Sequence, residues 1–277
     1  MVKYRMEKEK QANRKERRKK MRILAVGDLV GESGVRKLKE ILPKIKKEEK
    51  IDFVITNGEN SAGGMGITEK NFKDILDAGT NVITMGNHTW GKKDIFKFID
   101  NPQLLRPANY PKGVVGKGVG IYECKGKKIA VMNFIGRVDI NILSENPFII
   151  AKEMVEEIKD QVEMIIIDFH AEATAEKIAM ARYLDGKITA LFGTHTHVQT
   201  ADEQIFPNGT AYITDIGMTG PKDSVIGMEI QASIKRFETT LPEKYKLAEG
   251  ECIFNGVIFE IDDETNKATE IKRIYIR

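Results

Sequence analysis

Three times in its first 90 residues the chain runs through a short apolar segment that stops on a polar cluster. The segments are "MRILAVGD", ending at Asp28, "DFVITNGEN", ending at Asn60, and "NVITMGNH", ending at His88. Two stretches with helical spacing lie between them. In the first, Val35, Leu38, Ile41, Leu42 and Ile45 form one apolar stripe, and Pro43 is expected to bend or interrupt the helix. The second, "TEKNFKDILDAG", has Thr68 placed to cap its start and Gly79 to end it. Strands alternating with helices in this way argue for a mainly parallel sheet flanked by helices.

The middle of the chain changes character. "GVGIYECKGKKIAVMNFIG" holds two β-rich runs separated by Lys125-Gly126-Lys127, which predicts a hairpin. Asn146 and Pro147 open a helix. Strand "EMIIIDFH", helix "ATAEKIAMARYLDG" and strand "KITALFGTHTH" then restore the alternation. A helix near "MEIQASIKRF" precedes a closing hairpin, "ECIFNGVIFEID" and "KATEIKRIYIR". Alternating units followed by antiparallel hairpins predict an α/β protein with two sheets packed together and helices outside. At 277 residues the chain can bury one substantial core, and with no repeat or linker in view, residues 21–277 read as a single domain.

Charge is unevenly spread. The chain's net charge is +3, yet residues 1–20 carry ten Lys or Arg against three Glu, so the remainder is slightly acidic. A basic tail of this kind can contact RNA or an anionic surface. A disordered extension without a role is the simpler reading. "KERRKK" before Met21 is also what a purine-rich ribosome-binding site would encode if translated, which would make Met21 the natural start. No apolar run approaches a membrane span, the N-terminus lacks the apolar core of a secretory signal, and two distant cysteines suit a reducing cytoplasm.

The chemistry is concentrated where strands end. Asp28 follows the first strand, Glu59 and Asn60 the second, and Asn87 and His88 the third. His170 ends "EMIIIDFH", and His195 and His197 follow "ITALF", so all four histidines lie at strand ends. In open α/β sheets, loops beyond the carboxyl ends of strands converge on one crevice, so these groups are expected to share one sheet edge. Alone, each has an ordinary role: Asp28 as a cap, Glu59-Asn60 and Asn87 as turn polarity, His170 as a hydrogen-bonded core residue. Together they form a set of oxygen and imidazole donors without a thiolate, suited to iron, manganese or zinc. Seven donors exceed what one open catalytic ion needs, and two ions sharing a carboxylate would use them. His195 and His197 are two apart, so on extended backbone their side chains would leave the same face, one toward each ion.

"GDLVG", "NGEN", "GNHTW", "DFHAEAT" and "GTHTHVQTAD" resemble the ordered motifs of calcineurin-like metallophosphoesterases. They are most similar to the bacterial YmdB-type branch, described as di-iron phosphodiesterases acting on cyclic nucleotides. The resemblance also takes in "LLRPANYP" and "AYITDIGMTGP" and leaves out the basic tail. Two positions depart from the wider superfamily and match the branch: Val30 stands where a histidine is usual, and Glu59 where an aspartate is. The resemblance implies a four-layer α/β/β/α sandwich and a partition of ligands. Asp28, Asn60 and His197 would hold one ion, Asn87, His170 and His195 the other, and Glu59 would bridge them. His88 would donate the proton in hydrolysis of a 2′,3′- or 3′,5′-cyclic nucleotide by a metal-activated hydroxide.

Two other functions fit the same residues: a phosphomonoesterase or nucleotidase on the same metal core, or a regulatory RNA- or protein-binding module that keeps only the fold. A homo-oligomer is compatible with either. Among supporting residues, Asp168 lies two before His170 and is a candidate to orient an imidazole, against a plain turn role. Trp90 and Tyr212 could stack on a base, although core packing is the safer expectation. The glycines of Gly63–Gly66 could cradle phosphate but read more simply as a flexible loop.

Overall fold

The structure, a computed structural model, describes residues 20–244 and 246–277. The tail expectations for residues 1–19 lie outside the described residues. The first strand, β1 (Lys20–Val26), begins one residue before Met21, and the Lys20 ammonium pairs with Glu260.

β1 illustrates how the layers arise. Its backbone alternates faces with period two. Met21, Ile23 and Ala25 enter a core between two sheets, while Leu24 and Val26 face the opposite way, into a core beneath helices. That second core receives Val35, Leu38, Ile41, Leu42 and Ile45 from α1 (Gly31–Glu48), the stripe expected from the sequence. Each such aliphatic side chain, fully buried, contributes roughly 1.5–3 kcal/mol. Pro43 does not interrupt α1. It lies on the exposed face, where the carbonyl it displaces can turn to water. Thr68 caps α2 (Glu69–Asp77) by accepting the Asn71 N–H at 3.2 Å.

Among the described residues the first sheet has eight strands. β1 lies beside β3 (Phe53–Asn57), which leads through β4 (Val82–Thr84) to β5 (Leu104–Leu105), all parallel. On its other side β1 meets β13 (Cys252–Asp262), which is antiparallel and pairs with β14 (Ala268–Ile276) in the closing hairpin. β12 (Met218–Pro221) joins β13, and β2 (Asp28–Leu29) pairs with β12. The second sheet runs β10 (Gln204–Ile205), β11 (Ala211–Ile213), β9 (Ala190–Thr194), β8 (Met164–His170), β7 (Lys127–Ile135), β6 (Val119–Cys124), parallel except at both edges. The β6–β7 hairpin turns through Lys125 and Gly126, both at positive φ (51° and 76°), as its tight turn requires.

The outer face of the second sheet packs on α3 (Pro147–Ile158), capped by Asn146, and α4 (Thr174–Tyr183) through Met132, Phe134, Ile165, Val155 and Met180. The result is a four-layer α/β/β/α sandwich with two mixed sheets. No helix among the described residues is long and apolar enough to cross a membrane. Tyr212 is fully buried, stacked on Phe206 with its hydroxyl on Thr214 (2.9 Å), so it cannot stack on a base. Trp90 stacks on Phe96 and tilts against Tyr110, the packing role expected of it.

Candidate metal centre

One expectation about the site changes form. The polar clusters do not share the edge of one sheet. Asp28, Glu59, Asn60, Asn87 and His88 follow strands of the eight-stranded sheet, whereas His170, His195 and His197 end or follow strands of the six-stranded sheet. The two carboxyl edges lie together at one end of the sandwich, and the groups meet across the gap between them.

His170 is at the centre and fully buried. Its Nε2 lies 2.8 Å from Asn87 Oδ1, 3.1 Å from Glu59 Oε1 and 3.0 Å from His195 Nδ1. Glu59, His170 and His195 offer ligand atoms all within 4.8 Å of one another. Beside this group, Asn60 Nδ2 donates to His197 Nε2 at 2.9 Å. Asp28, also fully buried, accepts the His195 backbone N–H at 3.3 Å, and its Oδ1 is 4.0 Å from His170 Nδ1. All seven expected ligands are therefore brought to one place. His88 borders them: its backbone N–H donates to Glu59 Oε2 at 3.0 Å.

The donors fit a cation. Asp28 Oδ1 and Asn60 Oδ1 are buried oxygens with no hydrogen-bond donor, and buried oxygens rarely go unpartnered without a reason such as an ion. Among protein groups alone, burial pushes the Asp28 carboxyl up to about 7, only partly opposed by His197 and His170. Burial works against charge on Glu59 too, but His170 and His88 together outweigh it and hold that carboxyl down at about 2. Burial likewise disfavours charge on His170, yet Glu59 lifts the imidazole to about 9, while burial and the charge on His170 press His195 down to about 3. Glu59 and His170 thus satisfy each other, whereas Asp28 and His195 are pressed toward their neutral forms; a divalent cation in place of the His170 Nε2 proton would hold both carboxylates ionised and both imidazoles neutral.

Supporting contacts decide which imidazole nitrogen is bare. Asp168 is buried and accepts from Asn57 Nδ2 (3.2 Å), Thr84 Oγ1 (2.5 Å) and Thr194 Oγ1 (2.7 Å). Thr194 has one hydroxyl proton, and it goes to Asp168. Its oxygen therefore accepts from His170 Nδ1 at 2.9 Å, so Nε2 is the nitrogen whose lone pair would face a cation that displaced its proton. Asp168 thus orients His170 through Thr194 and not by direct contact. His197 is fixed in the same sense, because Nδ1 donates to the Ile226 carbonyl at 2.8 Å.

The extended-backbone argument for His195 and His197 does not hold. β9 ends at Thr194, and the two histidines have φ of 103° and 66°, in the left-handed half of the map that side chains seldom occupy. A turn, not strand alternation, separates the imidazoles. It is imposed by Asp28 on the His195 N–H and by Asp215 on the Thr196 N–H (3.1 Å). Asp215 is in turn paired with Lys177 at 2.8 Å, and both are fully buried.

Several of these supports escaped the sequence reading. Asp215 follows β11 and obeys the same strand-end rule that singled out the ligands. Asn133, a polar residue inside an apolar run, donates to Met85 O (2.6 Å) and Leu105 O (3.0 Å), tying the second sheet to the strand ends of the first. Val30, where the wider superfamily has a histidine, is buried beside Met218 and Ile253. The Gly63–Gly66 loop closes on itself, with Ala62 N–H donating to Gly66 O and Gly64 N–H to Asn60 O.

Gly86 lies directly against Glu59 and His170. A Cβ there would lie 2.4 Å from both Glu59 Oε2 and His170 Cδ2. Its φ is not in the positive region, so alanine would suit the backbone, and its nearest clashes would be with Glu59 and His170. Gly86→Ala is expected to fold and to lose about 10²-fold in kcat/KM, the scale of an ångström-sized misplacement. Circular dichroism with steady-state kinetics checks this, and full activity would show that the ligands yield freely.

Comparison with known proteins shows the family. Residues 24–274 match the YmdB-like protein family. The chain belongs to that family. It is 51% identical over 257 residues, 92% of this chain and 97% of the relative, to a 2′,3′-cyclic-nucleotide 2′-phosphodiesterase of Bacillus subtilis. A crystal structure of a novel phosphatase from Mycoplasma pneumoniae superposes with a TM-score of 0.89 at 38% identity, covering 93% of this chain and 94% of the other. A Thermus thermophilus protein described as hypothetical superposes with a TM-score of 0.87 at 35% identity, covering 92% and 98%. This YmdB-like chain is a hydrolase of the metal-dependent phosphoesterase type within the calcineurin-like superfamily.

Proposed function

We propose that this YmdB-like protein hydrolyses phosphodiester bonds of small nucleotides, 2′,3′- or 3′,5′-cyclic nucleotides foremost, and that residues 21–277 act as one catalytic unit. The observation that carries the reading is the convergence of Glu59, Asn87 and His195 on His170 Nε2 within 3.1 Å. The identity to a cyclic-nucleotide phosphodiesterase along nearly its whole length supports the substrate class.

In this reading Asp28, Asn60 and His197 would hold one ion, Asn87, His170 and His195 would hold a second, and Glu59 would serve both. Iron suits this mixture of oxygen and imidazole donors, with manganese or zinc as alternatives. When bound, such cations supply Lewis acidity toward the phosphate and acidify water. The protein's part is orientation: Asp168 with Thr194, and the Ile226 carbonyl, present bare imidazole nitrogens. His88, held at the rim by Glu59, supplies the proton to the departing ribose oxygen.

The test is elemental analysis together with hydrolysis by the same preparation. Two metal equivalents per chain are expected, with faster turnover of 2′,3′-cyclic AMP and of a bis-aryl phosphate than of a mono-aryl phosphate. Preference for the monoester would make the protein a phosphomonoesterase or nucleotidase. Metal retention with hydrolysis of neither would favour a regulatory module.

A further inference from the structure

Each imidazole in the cluster has an acceptor behind it. For His170 it is Thr194, backed by Asp168, and for His197 it is the Ile226 carbonyl. His195 is turned the other way round. Its Nδ1 faces His170 Nε2 at 3.0 Å, and its Nε2 points out toward Glu172 Oε2 at 3.1 Å. Glu172 is on the short connection from β8 to α4, two residues beyond His170. The strand end that delivers His170 thus also reaches around the far side of His195.

We propose that Glu172 is a positioning residue for His195 and so for metal affinity at that site. The inference rests on the reading that His195 is a ligand. A carboxylate can only accept, so Glu172 selects the tautomer with the proton on Nε2 and leaves the Nδ1 lone pair toward Glu59 and His170. It also restrains the ring. Backbone contacts alone cannot do this, because the His195 N–H bond to Asp28 fixes the main chain and leaves the side-chain torsions free. As an exposed ion pair Glu172 would contribute little to folding: its side chain is 49% exposed. Its effect should therefore fall on the metal and not on stability.

The experiment titrates chelator-treated protein with Mn(II) by calorimetry, comparing the parent with Glu172→Ala, Glu172→Gln and His195→Ala. Glu172→Ala is expected to weaken one Mn(II) site about tenfold and leave the other unchanged. Its metal-free melting midpoint should match the parent's. Glu172→Gln keeps an oxygen that accepts the Nε2 proton and should bind close to parent strength, a rescue that loss of a surface charge could not produce. Parent-like affinity in Glu172→Ala, or equal weakening in Glu172→Gln, would overturn the proposal. His195→Ala separates the two levels. Loss of one site there, with Glu172→Ala unaffected, refutes only the role of Glu172, whereas two intact sites in His195→Ala refute ligation by His195 itself.

Discussion

Replacing His88 by alanine is expected to leave metal content unchanged and to slow hydrolysis of 2′,3′-cyclic AMP by about 10²–10⁴-fold, the usual contribution of a positioned general acid. The backbone N–H of His88 donates to Glu59 Oε2 at 3.0 Å, which anchors the residue beside the cluster. Its half-buried ring has no hydrogen-bond partner among the described residues and is open to a substrate. Burial pushes the imidazole below its ordinary range, and the charges of His170 and His197 add to this against the pull of Glu59. The proton is therefore held best when the negative phosphodiester is present. Since the acid form is lost as pH rises, the parent should lose rate on its alkaline limb through this group and the alanine variant should not. The substrate offers a sharper control. A ribose alkoxide leaves poorly without a proton, whereas 4-nitrophenolate leaves unaided, so bis(4-nitrophenyl) phosphate should suffer a much smaller loss. Equal losses on both substrates, or a fall in bound metal, would move His88 from proton transfer to binding.

The residues that meet at the candidate metal centre were legible in the sequence and their supports mostly were not, for a physical reason. A side chain that must reach an ion from a parallel sheet sits where a strand ends, and Asp28, Glu59, Asn87, His170 and His195 all obey that rule. The four layers were legible too, because the α1 stripe and the strand runs carry their periods locally. What failed depends on distance in space. Nothing local says that the Thr194 hydroxyl donates a hydrogen bond to Asp168, or that His195 and His197 leave extended geometry because carboxylates from positions 28 and 215 seize two adjacent backbone N–H groups. The assignment of the clusters to one sheet failed similarly. Parallel strands of both sheets end in polar residues, and only the packing of the sheets shows that the two edges meet. Of the two outcomes expected for Pro43, interruption did not occur: α1 runs on through it, with the proline on the exposed face.

The Lys177–Asp215 pair shows how far support for the site reaches into the core. Asp215→Ala should destabilise the fold by roughly 3–5 kcal/mol, the penalty for stranding a buried charge. At roughly 2–4 °C per kcal/mol in a chain of this size, the melting midpoint should fall by about 10 °C. The ammonium of Lys177 is fully buried and 2.8 Å from Asp215 Oδ2, with no water-exposed route by which to keep its charge at low cost. Asp215 has a second task. Its Oδ2 also accepts the Thr196 N–H at 3.1 Å, and its Oδ1 accepts the Gly217 N–H at 2.9 Å, so one carboxylate both balances a charge and shapes the turn bearing His195 and His197. The double variant Lys177→Met with Asp215→Leu separates these tasks. Removing both charges for apolar groups of similar bulk should recover most of the melting midpoint. It should not recover Mn(II) affinity or turnover, because the Thr196 N–H still lacks its acceptor and the left-handed turn loses its restraint. Recovery of both would mean that Asp215 only neutralises Lys177, and that the Asp28 and Ile226 contacts hold the histidine turn by themselves.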